Sequence, residues 1–169
     1  AMAGHWDKAN NYVRGIEDYL LTEQYRRPEH QQKAVEDILD NWIQYSQNNK
    51  FHGMFATSSI AEAIEYYRLF KKLKPELKIT ALFDPNVDNN ENAKFKEDGL
   101  VEIISDYNNR YGMEFSLATH AKMKRDIADR LAHKELYKRV EHAPEKQLEL
   151  LIVVDQMLTG FDSKWVNTL

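Results

Sequence analysis

Hydroxyl side chains follow a short apolar segment at the point where a helix is predicted to begin. Thr57, Ser58 and Ser59 come after residues 51–56, which are typical of a buried strand. In open α/β sheets ligands gather at the carboxyl ends of the strands, and hydroxyl and free N–H groups at a helix N-terminus suit a phosphate. The same residues also form a helix cap, because Glu62 follows Ser59 at the spacing of a capping box. A phosphate contact and a cap without a ligand both remain open from these residues alone.

A second polar group follows the apolar run 150–154 and consists of Thr159, Gly160, Phe161 and Asp162. A glycine lets the backbone approach a ligand closely. The Thr159 hydroxyl can donate to a phosphate, and the Asp162 carboxylate can accept from a ribose hydroxyl. The alternative is a tight loop with a capping aspartate.

Other chemical signals are absent or weak. The sequence contains no Gly-x-x-x-x-Gly-Lys-[Ser/Thr], no Gly-x-Gly-x-x-Gly, no Gly-x-Ser-x-Gly and no His-Glu-x-x-His. Its six histidines have no metal-ligand spacing, so no metal site is predicted. No catalytic residue is predicted either. Residues 122–139 hold seven basic and three acidic side chains, which favours a solvated helical face over a phosphate contact. Residues 76–78, an acid-x-Lys sequence, are predicted to form a solvated turn rather than part of a nuclease site.

The elements that would position these groups alternate between strand and helix. Residues 51–57, 60–73 and 78–83 predict a strand–helix–strand unit, which implies a parallel sheet with a right-handed crossover. The apolar run 148–154 predicts a strand covered on both faces. We further expect a polar loop at 84–99 with a helix beginning within 94–109, a helix up to Lys134, and another strand from Trp165. Residues 1–48 are predicted as a helical lead-in, with an irregular helix at 7–23 and an amphipathic one from Pro28.

The amino-acid composition excludes several classes of protein. The chain has 169 residues, 43 % of them apolar, and a net charge of −4. This apolar content argues against disorder. The absence of cysteine excludes a disulfide scaffold, an iron–sulfur cluster and a cysteine nucleophile, and fits a cytoplasmic protein. No apolar run approaches the roughly 20 residues of a membrane span.

Two stretches resemble helicase motifs of the restriction (R) subunit of type I restriction–modification enzymes. Residues 150–162, LLIVVDQMLTGFD, followed by Asn167-Thr168-Leu169, resemble the fifth motif of that family. Residues 51–59, FHGMFATSS, with the aromatic residues of 66–70, resemble its fourth motif, and residues 104–108 with Phe115 resemble its variable middle. The resemblance covers residues 30–169.

The resemblance implies a RecA-like (P-loop NTPase-like) α/β fold, a parallel sheet flanked by helices with an N-terminal helical lead-in. Residues 49–169 would be the second RecA-like helicase domain, truncated before its last motif, and residues 1–48 would pack on it. It also implies roles for the two polar groups. The DNA backbone would be contacted by Thr57, Ser58, Ser59, Thr159 and Gly160, and the ATP cleft would include Gly160, Phe161 and Asp162.

For the parent protein, the resemblance implies a type I site-specific deoxyribonuclease and ATP-dependent DNA translocase. ATP and Mg²⁺ would be held mainly by a first motor domain, so this chain alone is expected to be inactive. Its partners would be double-stranded DNA and the methyltransferase and specificity subunits, with no membrane. The alternatives are a related helicase-like ATPase without restriction activity, a stand-alone α/β module that binds a phosphorylated ligand, and a purely structural domain.

Overall fold

The computed structural model describes residues 5–6, 12–13, 28–84, 92–154 and 163–169, and the chain divides into two compact units, 1–37 and 38–169. In the first unit, β1 (His5–Trp6) pairs antiparallel with β2 (Tyr12–Val13). The helix predicted over 7–23 is therefore wrong at residues 12–13, where the aromatic and β-branched side chains favour an extended backbone. The packing of residues 1–48 on the rest of the chain stays a prediction.

From residue 28 the chain alternates between helices and strands. Helix α1 (Pro28–Asp40) includes the boundary between residues 37 and 38. The elements that follow it are α2 (Trp42–Tyr45), β3 (His52–Thr57), α3 (Ile60–Leu73), β4 (Ile79–Leu82), α4 (Ala93–Tyr111), α5 (His120–Ala132), β5 (Leu150–Val154) and β6 (Val166–Thr168). The strands and α3 confirm the predicted positions. The loop predicted at 84–99 is wrong from Ala93 onward, because α4 begins there, as the helical pattern within 94–109 indicated. Among the described helices, none is long and apolar enough to cross a membrane.

The four strands β3 to β6 form one sheet in the order β4-β5-β3-β6, and every pairing is parallel. This confirms the predicted α/β class with a parallel sheet flanked by helices. The predicted strand–helix–strand unit is present, but β5 lies between β3 and β4 and pairs with both. Residues 150–153 are completely buried, as expected for a central strand covered on both faces.

Helix α3 packs on the sheet through an apolar stripe that includes Ile64 and Phe70, both fully buried. Its other neighbour is α4, which approaches closely because a glycine faces it. A Cβ atom added to Gly99 would lie 2.6 Å from Ile64 Cδ1. Tyr67 donates to Asp106 at 2.7 Å across the same interface. Helix α3 is thus held between the sheet and α4, and this fixes the position of its N-terminus.

A buried polar network joins α4, α5 and the segment that leads into β5. Asp126 accepts hydrogen bonds from the hydroxyls of Tyr107 and Tyr137, both at 2.5 Å, and from Arg130 Nε at 2.9 Å. Arg130 Nη1 donates to the Lys146 carbonyl at 2.5 Å. Burial and the Asp126 carboxylate raise the pKa of Tyr107 well above its usual range. Burial lowers the pKa of Arg130, but Tyr107 and Asp126 reverse this effect, so its pKa is raised and the side chain is charged.

This network corrects the prediction for the basic stretch 122–139. Six of its seven basic side chains are exposed, as a solvated face requires, but Arg130 is only 1 % exposed. The acid-x-Lys sequence at 76–78 lies at a turn with Glu76 exposed, as predicted, but its other two residues are not fully solvated. Leu77 is buried, and Lys78 pairs with Glu149 at 3.3 Å.

Candidate nucleic-acid interface

The carboxyl ends of β3 and β5 meet at one edge of the sheet. Thr57, the last residue of β3, pairs in register with Val154, the last residue of β5. Ser58 and Ser59 then lead directly into α3. Parallel strands bring their carboxyl ends to a common edge, which is where ligands of open α/β sheets bind. The first predicted group therefore lies at the expected edge.

Thr57 is part of the framework of this edge. Its side chain is buried, and Oγ1 lies 3.0 Å from the Val153 carbonyl and 3.3 Å from that of Ser59. A hydroxyl has one proton, so the Thr57 hydroxyl donates its hydrogen bond to a carbonyl within the fold. It ties β3 to β5 at the point where the chain turns toward α3.

Ser58 and Ser59 form the cap of α3 together with Glu62. Ser59 has an extended backbone, and its Oγ accepts from the Glu62 N–H at 3.2 Å. The Glu62 carboxylate does not bond back to Ser59. It accepts instead from the N–H and the Oγ–H of Ser58, at 2.6 and 2.7 Å. The predicted capping box is thus correct for the hydrogen bond from the Glu62 N–H to Ser59. It is wrong for the return bond, because the Glu62 carboxylate bonds to Ser58 instead of Ser59. Ser58 is exposed and offers two donors to one carboxylate oxygen.

The N-terminus of α3 binds an anion that the helix itself supplies, the Glu62 carboxylate. The N-terminus of a helix carries unpaired N–H groups and a partial positive charge, and both favour a negative group there. Ser58 adds two directed donors at an exposed position, and the Glu62 carboxylate uses both of them. A phosphate at this place would take the same donors, so it would have to displace the carboxylate.

The second predicted group, Thr159, Gly160, Phe161 and Asp162, lies outside the described residues. The described residues on either side of this group are held by contacts within the fold. Val154 ends β5 beside Thr57, and Ser163 Oγ donates to the Leu131 carbonyl at 2.8 Å. The Trp165 carbonyl accepts the N–H of His52 at 2.8 Å, at the start of the pairing between β6 and β3.

Two histidines that sequence reasoning left apart are in contact. His52 Nδ1 bonds to the Leu148 carbonyl, and because a carbonyl can only accept, Nδ1 carries the proton. His52 Nε2 is then an acceptor, and His133 Nε2 donates to it at 2.9 Å. The His133 ring stacks on Trp165 with 4.5 Å between centroids. The two histidines are 81 positions apart, so no local spacing could have paired them.

This histidine pair is held in the neutral form. Burial lowers the pKa of His52 to about 4, against the opposing effect of the Leu148 carbonyl. Burial also lowers the pKa of His133, although Glu141 opposes this effect. In the part of the chain that the structure describes, no three His, Asp or Glu side chains are grouped so that they could hold a metal ion. Through these contacts the pair links β3 to the end of α5 and to Trp165, which precedes β6.

Comparison with known proteins gives a consistent result. Residues 49–169 match the model of the family described as type I restriction enzyme subunit R domain 3. The chain is 34 % identical over 140 residues to the type I restriction enzyme SauCOLORF180P endonuclease subunit of Staphylococcus aureus (strain COL), and this match covers 78 % of the chain. It is 33 % identical over 141 residues to the SsaAORF53P endonuclease subunit of Staphylococcus saprophyticus, again over 78 % of the chain. In each case the match covers 14 % of the relative's own length.

Proposed function

Because the chain belongs to the family of type I restriction enzyme R subunits, as their domain 3, we propose that it is the second motor domain of an ATP-driven DNA translocase. The observation that carries this proposal is the family match over residues 49–169. The parallel sheet supports it, as do the two exposed donors of Ser58 at its carboxyl edge, which bond to the Glu62 carboxylate. The parent protein is proposed to be a type I restriction endonuclease that acts on double-stranded DNA together with methyltransferase and specificity subunits.

The proposed DNA contact is to the phosphate backbone. Phosphate contacts hold a protein on DNA without reading sequence, and a translocase requires such contacts because it moves over any sequence. Ser58 would donate its N–H and Oγ–H to a phosphate oxygen, and Ser59 would hold the helix N-terminus toward it. Thr57 would not donate its hydroxyl to the phosphate, because that hydroxyl bonds to the Val153 carbonyl, and it would instead hold the end of β3 beside β5. Thr159 and Gly160 are proposed to contact the same strand from the neighbouring end of β5.

ATP and Mg²⁺ are proposed to be bound mainly by another part of the parent protein. The residues of this chain do not fit a complete nucleotide site, because no Gly-x-x-x-x-Gly-Lys-[Ser/Thr] occurs in it. The described residues also hold no carboxylate cluster for a cation. Gly160, Phe161 and Asp162 are proposed to line the far side of the cleft. We therefore expect no phosphate release from ATP by this chain, and measurable turnover by the purified chain would contradict the proposal.

Binding of a fluorescein-labelled duplex, followed by anisotropy, tests the DNA proposal. We expect weak binding that falls steeply between about 50 and 200 mM salt, because phosphate contacts release counterions. Ser58→Ala should weaken binding by about threefold to tenfold, since one solvent-exposed hydrogen bond is lost. Ser105→Ala, an exposed serine on α4, is the matched control and should bind as the wild type does. Equal affinities of the wild type and Ser58→Ala would contradict the assigned contact.

A further inference from the structure

A cleft of about 410 Å³ opens beside the buried Arg130. We call it the arginine cleft, and it is formed by the end of α4, the end of α5 and the two 3-10 turns at 135–137 and 144–146. Its lining combines aromatic, cationic and apolar side chains: Arg110, Tyr111, Met113, Arg130, Leu136, Tyr137, Glu145 and Lys146. Neither the candidate DNA edge nor the family match assigns a role to it.

The arginine cleft lies at the amino edge of the sheet. Arg110 Nη2 donates to the Pro75 carbonyl at 3.3 Å, shortly before β4 begins. Tyr111 donates to the Gln147 carbonyl at 3.0 Å, shortly before β5 begins. Ser58 lies beyond the opposite, carboxyl edge. Strands of five or six residues separate the two edges by about 17 to 20 Å. The cleft is therefore a separate surface from the candidate DNA contact.

The floor of the arginine cleft is a buried guanidinium, one nitrogen of which has no hydrogen bond to a described residue. Arg130 Cζ lies over the rings of Tyr111 and Tyr137, at 3.8 and 4.3 Å from their centroids. Its hydrogen bonds to described residues come from Nε and Nη1, and none of them uses Nη2. A guanidinium fixed in this way is preorganised to donate to an anion, because its orientation is already set.

The rim of the arginine cleft is more positive than negative. Arg110 and Lys146 are exposed cations, and Glu145 is the one carboxylate among the described residues that line the cleft. Asp126 balances Arg130 from the buried side. The excess positive charge therefore comes from the rim, where it can attract a negatively charged group.

The arginine cleft also presents an apolar side chain to solvent. Leu136 is 87 % exposed, whereas Ile43, the next most exposed large apolar side chain among the described residues, is 60 % exposed. Met113 lines the same cleft. An exposed leucine beside fixed cations matches a ligand that carries a carboxylate next to an apolar side chain. A DNA backbone offers an anion but leaves Leu136 against polar groups, so it fits this surface less well.

We propose that the arginine cleft docks a peptide segment in which an Asp or Glu adjoins an apolar side chain, and that this segment comes from another domain of the same polypeptide. Length favours this source, since the chain matches 14 % of the length of its relatives and most of such a polypeptide lies elsewhere. The carboxylate binds Arg130 Nη2 and the rim cations, and the apolar side chain packs on Leu136 and Met113. This inference rests on family membership and does not depend on the DNA contact at Ser58.

Titration of the ¹⁵N-labelled chain with the peptide acetyl-Leu-Asp-Leu-Asp-Leu-amide tests the chemistry. We expect chemical shift changes at the arginine cleft, and about fivefold or more weaker binding in Leu136→Asp and Lys146→Glu, because both changes place a negative charge on the rim. Both positions are exposed, so the fold is retained. Lys72→Glu on α3 is the matched control and should bind as the wild type does. The peptide with Asn in place of Asp should bind at least about fivefold more weakly.

Several outcomes would overturn the proposal. They are shift changes at other surfaces, equal binding by the wild type and the two rim variants, or equal binding of the Asp and Asn peptides. Shift changes at the cleft with duplex DNA, and none with the peptide, would replace the peptide by a nucleic acid. Failure at Ser58 leaves the cleft result unaffected, so the two proposals can be judged separately.

The source of the peptide is tested in the full-length subunit. A photoreactive benzoylphenylalanine replaces Leu136, and the cross-linked product is mapped by mass spectrometry. We expect a cross-link to an acidic segment of the same chain. A cross-link to another subunit, or no cross-link in the assembled protein, would contradict a source within the same polypeptide.

Discussion

Glu62 should compete with a DNA phosphate, and replacing it should tighten DNA binding while weakening the fold. Its carboxylate accepts the N–H and Oγ–H of Ser58 at 2.6 and 2.7 Å, which are the donors assigned to the phosphate. In Glu62→Gln the side-chain oxygen can still accept, but the negative charge is removed. A charge about 5 Å from a phosphate is worth about 0.8 kcal/mol in water, which corresponds to about fourfold in affinity. The loss of a negative charge at the N-terminus of α3 should cost about 0.3 to 1 kcal/mol of unfolding free energy.

The assay for this prediction combines duplex anisotropy at low salt with urea unfolding. Glu114→Gln, at an exposed glutamate beyond the end of α4, makes the same change in net charge and is the control. We expect Glu62→Gln to bind more tightly and to be less stable, and the control to change neither property. The gain in affinity should shrink as salt rises, because exposed charges are screened. Unchanged affinity of a folded Glu62→Gln variant would refute the reasoning, as would an equal gain in the control.

Three further predictions concern the framework. In urea unfolding, Arg130→Met should lower the unfolding free energy by about 3 kcal/mol, because it removes the cationic partner of the half-buried Asp126 and leaves that carboxylate with only the two tyrosine hydroxyls. The exposed Arg125→Met is the control and should change the unfolding free energy by less than about 0.5 kcal/mol. Equal effects of the two changes would show that Arg130 does not stabilise the network. Burial lowers the pKa of His52 to about 4 in the fold, so below about pH 6.5 this side chain takes up a proton when the chain unfolds. We therefore expect about 3 kcal/mol of unfolding free energy to be lost as the pH falls from about 6.5 to about 4. His52→Gln should flatten that dependence, and an unaltered slope would contradict the lowered pKa. Gly99→Ala should destabilise the chain by about 1 kcal/mol, and adding Ile64→Val should recover part of the loss; no recovery would exclude the clash as the cause.

The local elements could be predicted from the sequence because their signals are local. The apolar run 150–154 and the stripe of α3 indicate one strand and one helix without any tertiary information. The order of the strands could not be predicted in this way. Apolar periodicity says which residues are buried but not which strand pairs with which, so the position of β5 between β3 and β4 required the structure.

In the candidate site, too, local features could be predicted from the sequence, whereas contacts between distant residues could not. The serine and glutamate spacing predicted the cap of α3, but the choice of Ser58 as the partner of Glu62 depends on a backbone turn that spacing does not define. The contact between His52 and His133 joins distant parts of the chain and left no signal. Arg130 did leave one, since it follows Ile127 by three positions and therefore lies on the apolar stripe of α5.

Hydrogen–deuterium exchange with and without a short duplex is the most direct test of the DNA contact at Ser58, because it reports which backbone amides DNA protects. We expect DNA to slow exchange in peptides covering residues 57–63, at the carboxyl edge of β3 and the N-terminus of α3, and we expect this protection to be lost in Ser58→Ala. Unchanged exchange at 57–63, in a chain that binds the duplex and is protected elsewhere, would contradict the account.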